Sequence, residues 1–313
     1  MKRVIIVGSG GQDGRILFDR LSSEGYSVVG VERHSLRSTV PIELKAVDIL
    51  RRSAVSTLLE SFLPDAIYYL AAFHQSSEGR QPSDQEAFEK GLAVNVVGLL
   101  NFLESIHLKS ASSRLFYAVS SHVFGETMTE LQDETSPLRP ACPYGITKTT
   151  GLNCCRYFRR KHGLFVATGI LFNHESNYRK SGFVSKKITQ GAVEIKRGRR
   201  SKLVLGNLSC LVDWGYAPDY VEAMLRILQL DKPDDFVVAT GEVHSVREFV
   251  ELAFDELGLK WEMYVEEDSE MTLKTNRVLV GNATKLRSLT GWKPSKTFEQ
   301  MVRYLVREEE SAN

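Results

Sequence analysis

Short apolar runs alternate with longer amphipathic stretches along the first half of the chain. Runs at residues 4–7, 27–31, 66–72, 115–119 and 165–171 are short enough to be buried strands. The stretches between them carry apolar residues at helical spacing, beginning with Ile16, Leu17 and Leu21. Strand and helix patterns that alternate in this way predict an α/β protein with a parallel, doubly wound sheet.

The pattern changes after Phe172. The elements that it predicts there are helices at about 183–195 and 218–230, a buried strand at 236–239, a helix capped by Ser245 and Glu248, a strand at 261–265 and two short helices at the end. We therefore expect a second, smaller unit interleaved with the first.

Composition and charge limit the classes of function. The 313 residues are 42% hydrophobic and 25% charged with a formal net charge of +1, which does not indicate nucleic acid or a membrane surface as the main partner. No apolar run is expected to reach transmembrane length, and a strand follows the N-terminus directly, so we expect a soluble, cytoplasmic protein. Four cysteines without metal-ligand spacing fit reduced thiols, and no metal site is predicted.

A glycine-rich turn joins the first predicted strand to the first predicted helix. Gly8, Gly11 and Gly14 give the spacing G-x-x-G-x-x-G in the context of a dinucleotide-binding fingerprint. The glycines allow a tight turn and the close approach of a pyrophosphate to the helix N-terminus. We therefore predict a Rossmann fold, with Gln12 and Asp13 also at the cofactor.

The end of the second predicted strand is where the ribose of the adenosine is recognised. Glu32 would accept hydrogen bonds from a 2'-hydroxyl, which favours NAD, whereas Arg33 would pair with a 2'-phosphate, which favours NADP. The positive charge of the loop that follows, through Arg37, favours NADP, and NAD stays possible because of Glu32. The other residues expected at the cofactor are Asp48, Ile49, Ala71 and Ala72.

Two segments in the middle of the chain carry the candidate chemistry. Ser120 and Ser121 end a predicted strand, and Tyr144 and Lys148 lie one turn apart on a predicted helix. The lysine would favour the phenolate, and a serine hydroxyl could hydrogen-bond the same reacting oxygen. Together with a nucleotide motif, the Tyr-x-x-x-Lys pair predicts hydride transfer, and His122 is a further candidate acid or base.

With these motifs, the chain resembles the extended short-chain dehydrogenase/reductases and, more narrowly, the GDP-mannose 4,6-dehydratases and their sugar-nucleotide relatives. The narrower resemblance rests on segments at 11–14 (GQDG), 171–176 (LFNHES), 183–188 (FVSKKI), 205–208 (LGNL), 213–215 (DWG), 217–223 (APDYVEA) and 291–294 (GWKP). It implies an NAD(P)-binding Rossmann domain at 1–172, to which 216–240 return, and a smaller substrate-binding domain formed by 173–215 and 241–313.

The resemblance also implies roles for individual residues. Tyr144 would remove the proton of the sugar C4 hydroxyl as hydride passes to NADP, Lys148 would assist it, and Ser120 would replace the family's active-site threonine or serine. His174 and Glu175 would mainly hold the loop that presents Asn173. The residues expected at the nucleotide-sugar substrate are His74, Ser121, Asn173, Lys187, Lys274 and Arg277.

Several positions depart from the family pattern. The family's catalytic glutamate is His122 here, and imidazole can also act as an acid or base near neutral pH. The diphosphate-binding arginine before Asp-Trp-Gly is Val212, so Lys274 or Arg277 would have to substitute, and a substrate-contacting serine is His74. The sugar, the base or both could therefore differ from GDP-mannose.

Three functions are compatible with these residues. The first is an NADP-dependent sugar-nucleotide 4,6-dehydratase that oxidises C4, eliminates water across C5 and C6 and returns hydride to C6. The second is a C4 reductase or C3/C5 epimerase of a keto sugar nucleotide, with His122 and His74 as acid and base. The third is a non-catalytic NADP-binding sensor or scaffold, which the presence of Ser120, Tyr144 and Lys148 together disfavours. A homodimer or homotetramer is expected by the resemblance.

Overall fold

The computed structural model describes residues 2–41, 43, 46–74, 82–127, 130–268 and 278–312. Its strands are β1 (Arg3–Val7), β2 (Ser27–Val31), β3 (Leu36–Ser38), β4 (Ala66–Tyr69), β5 (Arg114–Ser120), β6 (Val166–Leu171), β7 (Asn173–Glu175), β8 (Leu203–Leu205), β9 (Leu211–Val212), β10 (Trp214–Tyr216), β11 (Asp235–Val238), β12 (His244–Ser245) and β13 (Val265–Glu267).

A seven-stranded sheet forms the centre of the fold. Its order is β11-β6-β5-β4-β1-β2-β3, and every pairing within it is parallel except that of β3 with β2. The chain therefore winds outward in both directions from β1, which confirms the predicted doubly wound α/β sheet. The prediction of a loop through Arg37 is wrong in part, because Leu36–Ser38 pairs with β2 as an edge strand. This strand is too short to show an apolar pattern in the sequence.

The helices are α1 (Gln12–Ser23), α2 (Arg52–Phe62), α3 (Asp84–Leu92), α4 (Leu99–Lys109), α5 (Pro143–His162), α6 (Val184–Lys196), α7 (Ala217–Gln229), α8 (Val246–Glu256), α9 (Thr284–Thr290) and α10 (Phe298–Ala312). A π-helical turn, Ala93–Gly98, joins α3 to α4 into one long helix. The final helix has 15 residues, so the expectation of two short helices is wrong for α10.

The long helix from Asp84 to Lys109 has the length and composition of a membrane span, contrary to the expectation from sequence. This is weak evidence, since half of its apolar window is buried inside the fold. There α3 packs on α5 and α4 packs on α2, as expected for the core helix of a globular domain.

The strand predicted at 261–265 is wrong. Trp261–Met263 forms a 3₁₀ turn, closed by a hydrogen bond of 2.9 Å from the amide of Tyr264 to the carbonyl of Trp261. The strand begins only at Val265 and pairs in parallel with β8. Glu262 and Met263 are both exposed, so the segment lacks the alternation of buried and exposed residues that a strand would show.

Three buried clusters hold these elements together. Along β1, Ile5 and Val7 belong to the cluster on one face of the sheet, and Val4 and Ile6 belong to the cluster on the other. The third cluster lies among α6, α8 and α10 around Trp214. Its members come from both segments assigned to the smaller domain, and the limits of that domain stay a prediction.

Candidate active site

The glycine-rich turn lies between β1 and α1, against the carboxyl end of β4. Gly8 has φ +92°, and a Cβ built on it would lie 2.7 Å from the amide nitrogen of Ala71. A Cβ on Gly14 would lie 2.2 Å from the carbonyl oxygen of Gly8, so the first turn of α1 packs directly on the loop. Any larger residue at either position would displace backbone, which is the physical reason for the glycines.

Gln12 and Asp13, both expected at the cofactor, are bonded to the loop that follows β6. Nε2 of His174 lies 3.0 Å from the Asp13 carboxylate, and Gln12 Nε2 donates to the His174 carbonyl at 3.0 Å. Ser176 Oγ donates to Gln12 Oε1 at 2.9 Å. These contacts join the start of α1 to β7, where Asn173 lies exposed.

The surroundings of His174 favour its charged form. Its Nδ1 lies 2.6 Å from the carbonyl oxygen of Phe172 and its Nε2 faces Asp13, so both ring nitrogens face acceptors. Burial opposes the charge, but the Asp13 carboxylate outweighs it and raises the pKa of His174. In turn, burial raises the pKa of Asp13, and the charge and hydrogen bond of His174 bring it below its usual value.

At the ribose end of the cleft, Glu32 points its carboxylate at the glycine-rich turn. A Cβ on Gly10 would lie 3.3 Å from the Glu32 carboxyl carbon, and Ser9 Oγ donates to that carboxylate at 3.4 Å. Arg33 is exposed. Arg37 is half-buried and its guanidinium stacks on the Phe18 ring at 4.0 Å. Of these three residues, Glu32 is the one that contacts the turn, where Arg15 Nε also donates to the carbonyl of Gly10 at 3.1 Å.

The other residues expected at the cofactor take varied positions. Asp48 is exposed, and its carboxylate accepts a hydrogen bond of 2.9 Å from the amide of Leu50, which forms a local turn rather than a strand end. Ile49 is half-buried against Gly98. Ala71 and Ala72 follow β4 instead of ending it, with Ala71 against Gly8.

Tyr144, Lys148 and Ser120 come together at the carboxyl end of β5. Ser120 ends the strand and hydrogen-bonds Tyr144, which lies in the first turn of α5. Lys148 is buried, and its Nζ donates to the carbonyl oxygen of Ala118 at 2.7 Å and lies 5.9 Å from the centre of the Tyr144 ring. The structure thus assembles the three residues that sequence spacing places on two separate elements.

Burial controls the charges of this group. It raises the pKa of the Tyr144 phenol, and the hydrogen bond with Ser120 and the positive charge of Arg179 oppose it. Burial also lowers the pKa of Lys148 to about 7. In the protein alone, the phenolate is therefore favoured by Ser120 and Arg179 rather than by a strong positive charge on Lys148.

An aromatic group extends the site beyond Tyr144. The His74 ring packs edge-on against Tyr144 with centres 4.6 Å apart and stacks on Phe183 at 5.5 Å. His122 is exposed, with its ring centre 5.7 Å from that of Tyr144 and 6.3 Å from that of His74. Two imidazoles thus lie beside the tyrosine: the dehydratase hypothesis uses His122, and the epimerase hypothesis uses both. The guanidinium of Arg179 lies over the Phe183 ring, 4.1 Å from its centre.

Sequence reasoning missed Arg179 and Phe183 as members of the site. Glu175 is buried, and its carboxylate fixes Arg179 through hydrogen bonds of 2.8 and 3.1 Å and accepts a third, of 2.6 Å, from Ser185. Two signals were available in the sequence: the spacing of four residues between Glu175 and Arg179, and Phe183 at the start of the segment 183–188. Neither indicates what the two side chains contact in the fold.

Asn95, on the π-helical turn, braces the elements around the site. Its Nδ2 donates to Thr147 Oγ1 at 3.0 Å, and its Oδ1 accepts from the amide of Phe73 at 3.3 Å. Its carbonyl accepts a hydrogen bond of 3.0 Å from the hydroxyl of Tyr117 on β5. One buried residue therefore connects α5, β5 and the segment that carries His74.

The remaining substrate residues are less close together. Ser121 is buried with 4% of its surface exposed, so its side chain is not open to the cleft. Lys187 is half-buried on α6. Lys274 and Arg277 lie outside the described residues. Within the described ranges, no group of three or more His, Cys, Asp or Glu side chains is arranged to hold a metal ion.

Known proteins match this chain over almost its whole length. The family model of GDP-mannose 4,6 dehydratase matches residues 5–305. GDP-mannose 4,6 dehydratase 2 of Arabidopsis thaliana is 37% identical over 330 residues, which cover 98% of this chain and 87% of the relative. The human GDP-mannose 4,6 dehydratase is 34% identical over 338 residues, which cover 96% of this chain and 90% of the relative.

Solved structures share the fold. The structure of RMD from Pseudomonas aeruginosa complexed with NADPH has a TM-score of 0.83 at 24% identity and covers 100% of both chains. The dTDP-glucose 4,6-dehydratase of Bacillus anthracis in complex with NAD also has a TM-score of 0.83, at 18% identity, and covers 99% of this chain and 97% of its own. Sequence and fold agree, and the chain belongs to the GDP-mannose 4,6-dehydratase family of extended short-chain dehydrogenase/reductases.

Proposed function

We propose that this protein is a sugar-nucleotide 4,6-dehydratase that acts on GDP-mannose with a nicotinamide dinucleotide. The observation that carries the proposal is the assembly of Ser120, Tyr144 and Lys148 at the strand edge beside the glycine-rich turn, in a chain of this family. A non-catalytic sensor would have no need of a buried lysine beneath a tyrosine.

The cofactor fits the turn between β1 and α1. Gly8 and Gly14 allow the turn to pack closely against the segment after β4 and the first turn of α1. Gly11 is exposed beside the N-terminus of α1, where backbone amides can donate hydrogen bonds to a pyrophosphate. A nicotinamide dinucleotide bound there would supply the hydride chemistry that the reaction needs at C4 and C6. The protein's part is to hold the sugar and to move protons.

Tyr144 takes the proton of the C4 hydroxyl. The hydrogen bond with Ser120 and the charge of Arg179 favour its phenolate, and both act against burial. Ser120 can also donate to the oxygen at C4 as it becomes a carbonyl. Once C4 is a carbonyl, the hydrogen on C5 becomes acidic, which prepares the elimination.

His122 is the residue that we assign to the elimination. It would take the C5 proton, and the electron pair of the C5–H bond would be delocalised onto the C4 carbonyl oxygen as an enolate. That pair then expels the C6 hydroxyl, which leaves as water with the proton from His122. His122 is exposed beside Tyr144, as an acid–base group acting on the adjacent carbon should be.

For the adenosine end, we propose that NAD binds more tightly than NADP. The Glu32 carboxylate lies against Gly10, where it can accept hydrogen bonds from a 2'-hydroxyl and would repel a 2'-phosphate. Isothermal titration calorimetry with both cofactors tests this. In Glu32→Gln, NADP should bind roughly fivefold more tightly, since like charges about 4 Å apart repel by about 1 kcal/mol even in water. Arg33→Gln should weaken NADP binding and leave NAD binding unchanged.

A second candidate is a C4 reductase or C3/C5 epimerase of a keto sugar nucleotide. The observation in its favour is the pair of imidazoles, His74 and His122, whose ring centres lie 6.3 Å apart beside Tyr144. Two acid–base groups of this kind could remove a proton on one face of a sugar and return one on the other.

One experiment separates the candidates. The protein is incubated in deuterium oxide with NAD or NADP, each in oxidised or in reduced form, and with either GDP-mannose or its 4-keto-6-deoxy derivative. The products are analysed by mass spectrometry. A dehydratase converts GDP-mannose to a product that has lost one water and gained one solvent deuterium at C5. An epimerase adds deuterium to the keto sugar without loss of water, and a reductase adds hydrogen only with reduced cofactor.

Two variants serve as controls. Tyr144→Phe should block dehydration and C4 reduction, because it removes the group that acts on C4, but not proton exchange by the imidazoles on a keto sugar. His122→Gln should block the elimination while leaving cofactor binding intact, with a loss of roughly 10²- to 10⁴-fold, the contribution of a general base. If GDP-mannose stays unchanged with both cofactors, the dehydratase assignment for this sugar is wrong.

A further inference from the structure

The ring of Tyr117 lies against the ammonium of Lys148. Tyr117 is on β5, next to Ala118, and Nζ of Lys148 lies over its ring, 4.7 Å from the ring centre. An aromatic face attracts a cation within about 6 Å of its centre, and does so more strongly where water is excluded, as around this buried lysine. The Tyr144 ring is farther from the same nitrogen, at 5.9 Å. Tyr117 therefore makes the closer of the two ring contacts with the lysine.

The fold fixes the position of this ring. Tyr117 is fully buried, and its hydroxyl donates to the carbonyl oxygen of Asn95 at 3.0 Å. Gly151, three residues after Lys148 on α5, leaves space for the hydroxyl, because a Cβ there would lie 2.4 Å from the phenol oxygen. The ring also packs on that of Tyr69, with centres 5.9 Å apart. The surrounding elements, rather than the lysine, therefore determine where the ring lies.

We propose that Tyr117 is a positioning residue that acts through Lys148, by holding its ammonium in place and favouring its charged form. Burial disfavours that form, and within the described residues no carboxylate pairs with the lysine to oppose burial. The groups with negative potential that contact Nζ are the carbonyl oxygen of Ala118, at 2.7 Å, and the ring face of Tyr117. A neutral amine can also donate to the carbonyl, whereas the attraction of the ring requires the charge.

A change in this attraction would alter the charge of Lys148 near neutral pH. Burial lowers the pKa of Lys148 to about 7, so that about half of the molecules carry the charge at pH 7. Loss of the ring should weaken proton binding about tenfold, as for a desolvated cation–π contact, and would leave about one tenth charged. The other titratable side chains that face Lys148 are Tyr144 and Cys155. Burial raises the pKa of each, and that of Tyr117 itself, so none of them changes charge near pH 7.

The test is a double-mutant cycle between Tyr117 and Lys148, measured by urea unfolding of the full-length protein without cofactor or substrate. Tyr117→Leu removes the ring and Lys148→Met removes the charge, and the cycle compares the effect of Tyr117→Leu with and without the lysine. At pH 6, Tyr117→Leu should increase the unfolding equilibrium constant about fivefold more when the lysine is present, because the ammonium is then mostly charged. At pH 9.5 the folded protein holds a neutral lysine, and this excess should be absent. A packing contact would couple the two residues equally at both pH values.

Further variants at this position complete the test. Tyr117→Phe is the matched control: it loses the hydroxyl that bonds Asn95 but keeps the ring face, so its coupling with Lys148 should not change with pH. If Tyr117→Leu does not fold, phenylalanines with one, two or three ring fluorine atoms take its place, since fluorine makes the ring face less negative with little change of shape. The pH-dependent coupling should then grow with the number of fluorine atoms. Coupling that is the same at both pH values, or that does not grow with fluorination, would overturn the proposal.

Kinetics provide the second readout, which rests on the proposed function. A positive charge on Lys148 favours the phenolate of Tyr144, so kcat of Tyr117→Leu at pH 7 should fall about fivefold with KM unchanged, in proportion to the charged fraction of the lysine. The two rates should converge as the pH falls toward about 5, where the lysine is charged in both proteins. A full rate at pH 7, or the same loss at every pH, would also overturn the proposal. Because the unfolding cycle needs no substrate, a protein with the expected coupling that does not dehydrate GDP-mannose would contradict the proposed function and leave the role of Tyr117 standing.

Discussion

The buried Lys148 should make the protein less stable than a variant without it. Burial lowers the pKa of its ammonium from 10.5 to about 7, a difference that corresponds to about 5 kcal/mol. Lys148→Met removes the buried charge and keeps the length of the side chain. It also loses the hydrogen bond to the carbonyl oxygen of Ala118, which contributes roughly 2 kcal/mol. At pH 6 the variant should therefore be more stable by about 3 kcal/mol.

The advantage should disappear as the pH rises. Since the pKa is lower in the folded than in the unfolded chain, the unfolded chain binds more protons between about pH 7 and 10.5, and wild-type stability increases across that window. Near pH 9.5 the penalty falls to about 1–2 kcal/mol, which the lost hydrogen bond offsets. The two proteins should then unfold at nearly the same urea concentration.

Urea unfolding at pH 6 and pH 9.5, without cofactor, measures both values. Other titrating groups are common to the two proteins and cancel in the difference between them. Lys161→Met is the matched control on the same helix, because Lys161 is exposed. The difference in free energy of unfolding between this variant and the wild type should be the same at the two pH values. If Lys148→Met is no more stable than wild type at pH 6, or if its advantage does not change with pH, the account of Lys148 as a destabilising buried charge is refuted.

Two further predictions concern the start of α1. Asp13→Asn should destabilise the protein by roughly 3 kcal/mol at pH 6, as for a broken buried ion pair. The loss should be smaller at pH 8.5, because the stability that comes from the raised pKa of His174 is lost as the pH rises through that pKa. Urea unfolding at both pH values measures the change. Gly14→Ala should abolish stable folding or cofactor binding, since its Cβ would lie 2.2 Å from the Gly8 carbonyl oxygen. Gly25→Ala is the control, because φ is +79° there but no atom lies within 4 Å of the added Cβ. It should lower the stability by only about 1 kcal/mol in thermal unfolding and should bind cofactor normally.

The sheet and the centre of the site could be predicted because local pattern decides them. The glycine spacing requires a turn between β1 and α1, and Tyr144 and Lys148 share a face of any helix that contains them. Ser83 and Ser245 cap α3 and α8 as their spacing from a glutamate predicts. In each case, residues within one turn or one loop determine the outcome.

The contacts that sequence could not show join residues far apart in the chain. His74 stacks on Phe183, and Nδ1 of His122 lies near a sulfur 20 residues further on, only because the segments that follow β4 and β5 lie beside the first residues of α5 and α6. The strand predicted at 261–265 is wrong for a local reason. Its aromatic residues satisfy a strand pattern locally, but neighbouring backbone groups close a 3₁₀ turn there.

The π-helical turn at Ala93–Gly98 makes the long helix sensitive to its own length. Each residue advances an α-helix by about 100°, so deleting one residue from this turn would restore regular winding and rotate α3 by that angle relative to α4. The two halves could then no longer face α5 and α2 at once, and Asn95 would lose Thr147. Substitutions at its exposed Val97 leave that phase intact, whereas insertions and deletions do not, so the helix should vary in sequence but not in residue count.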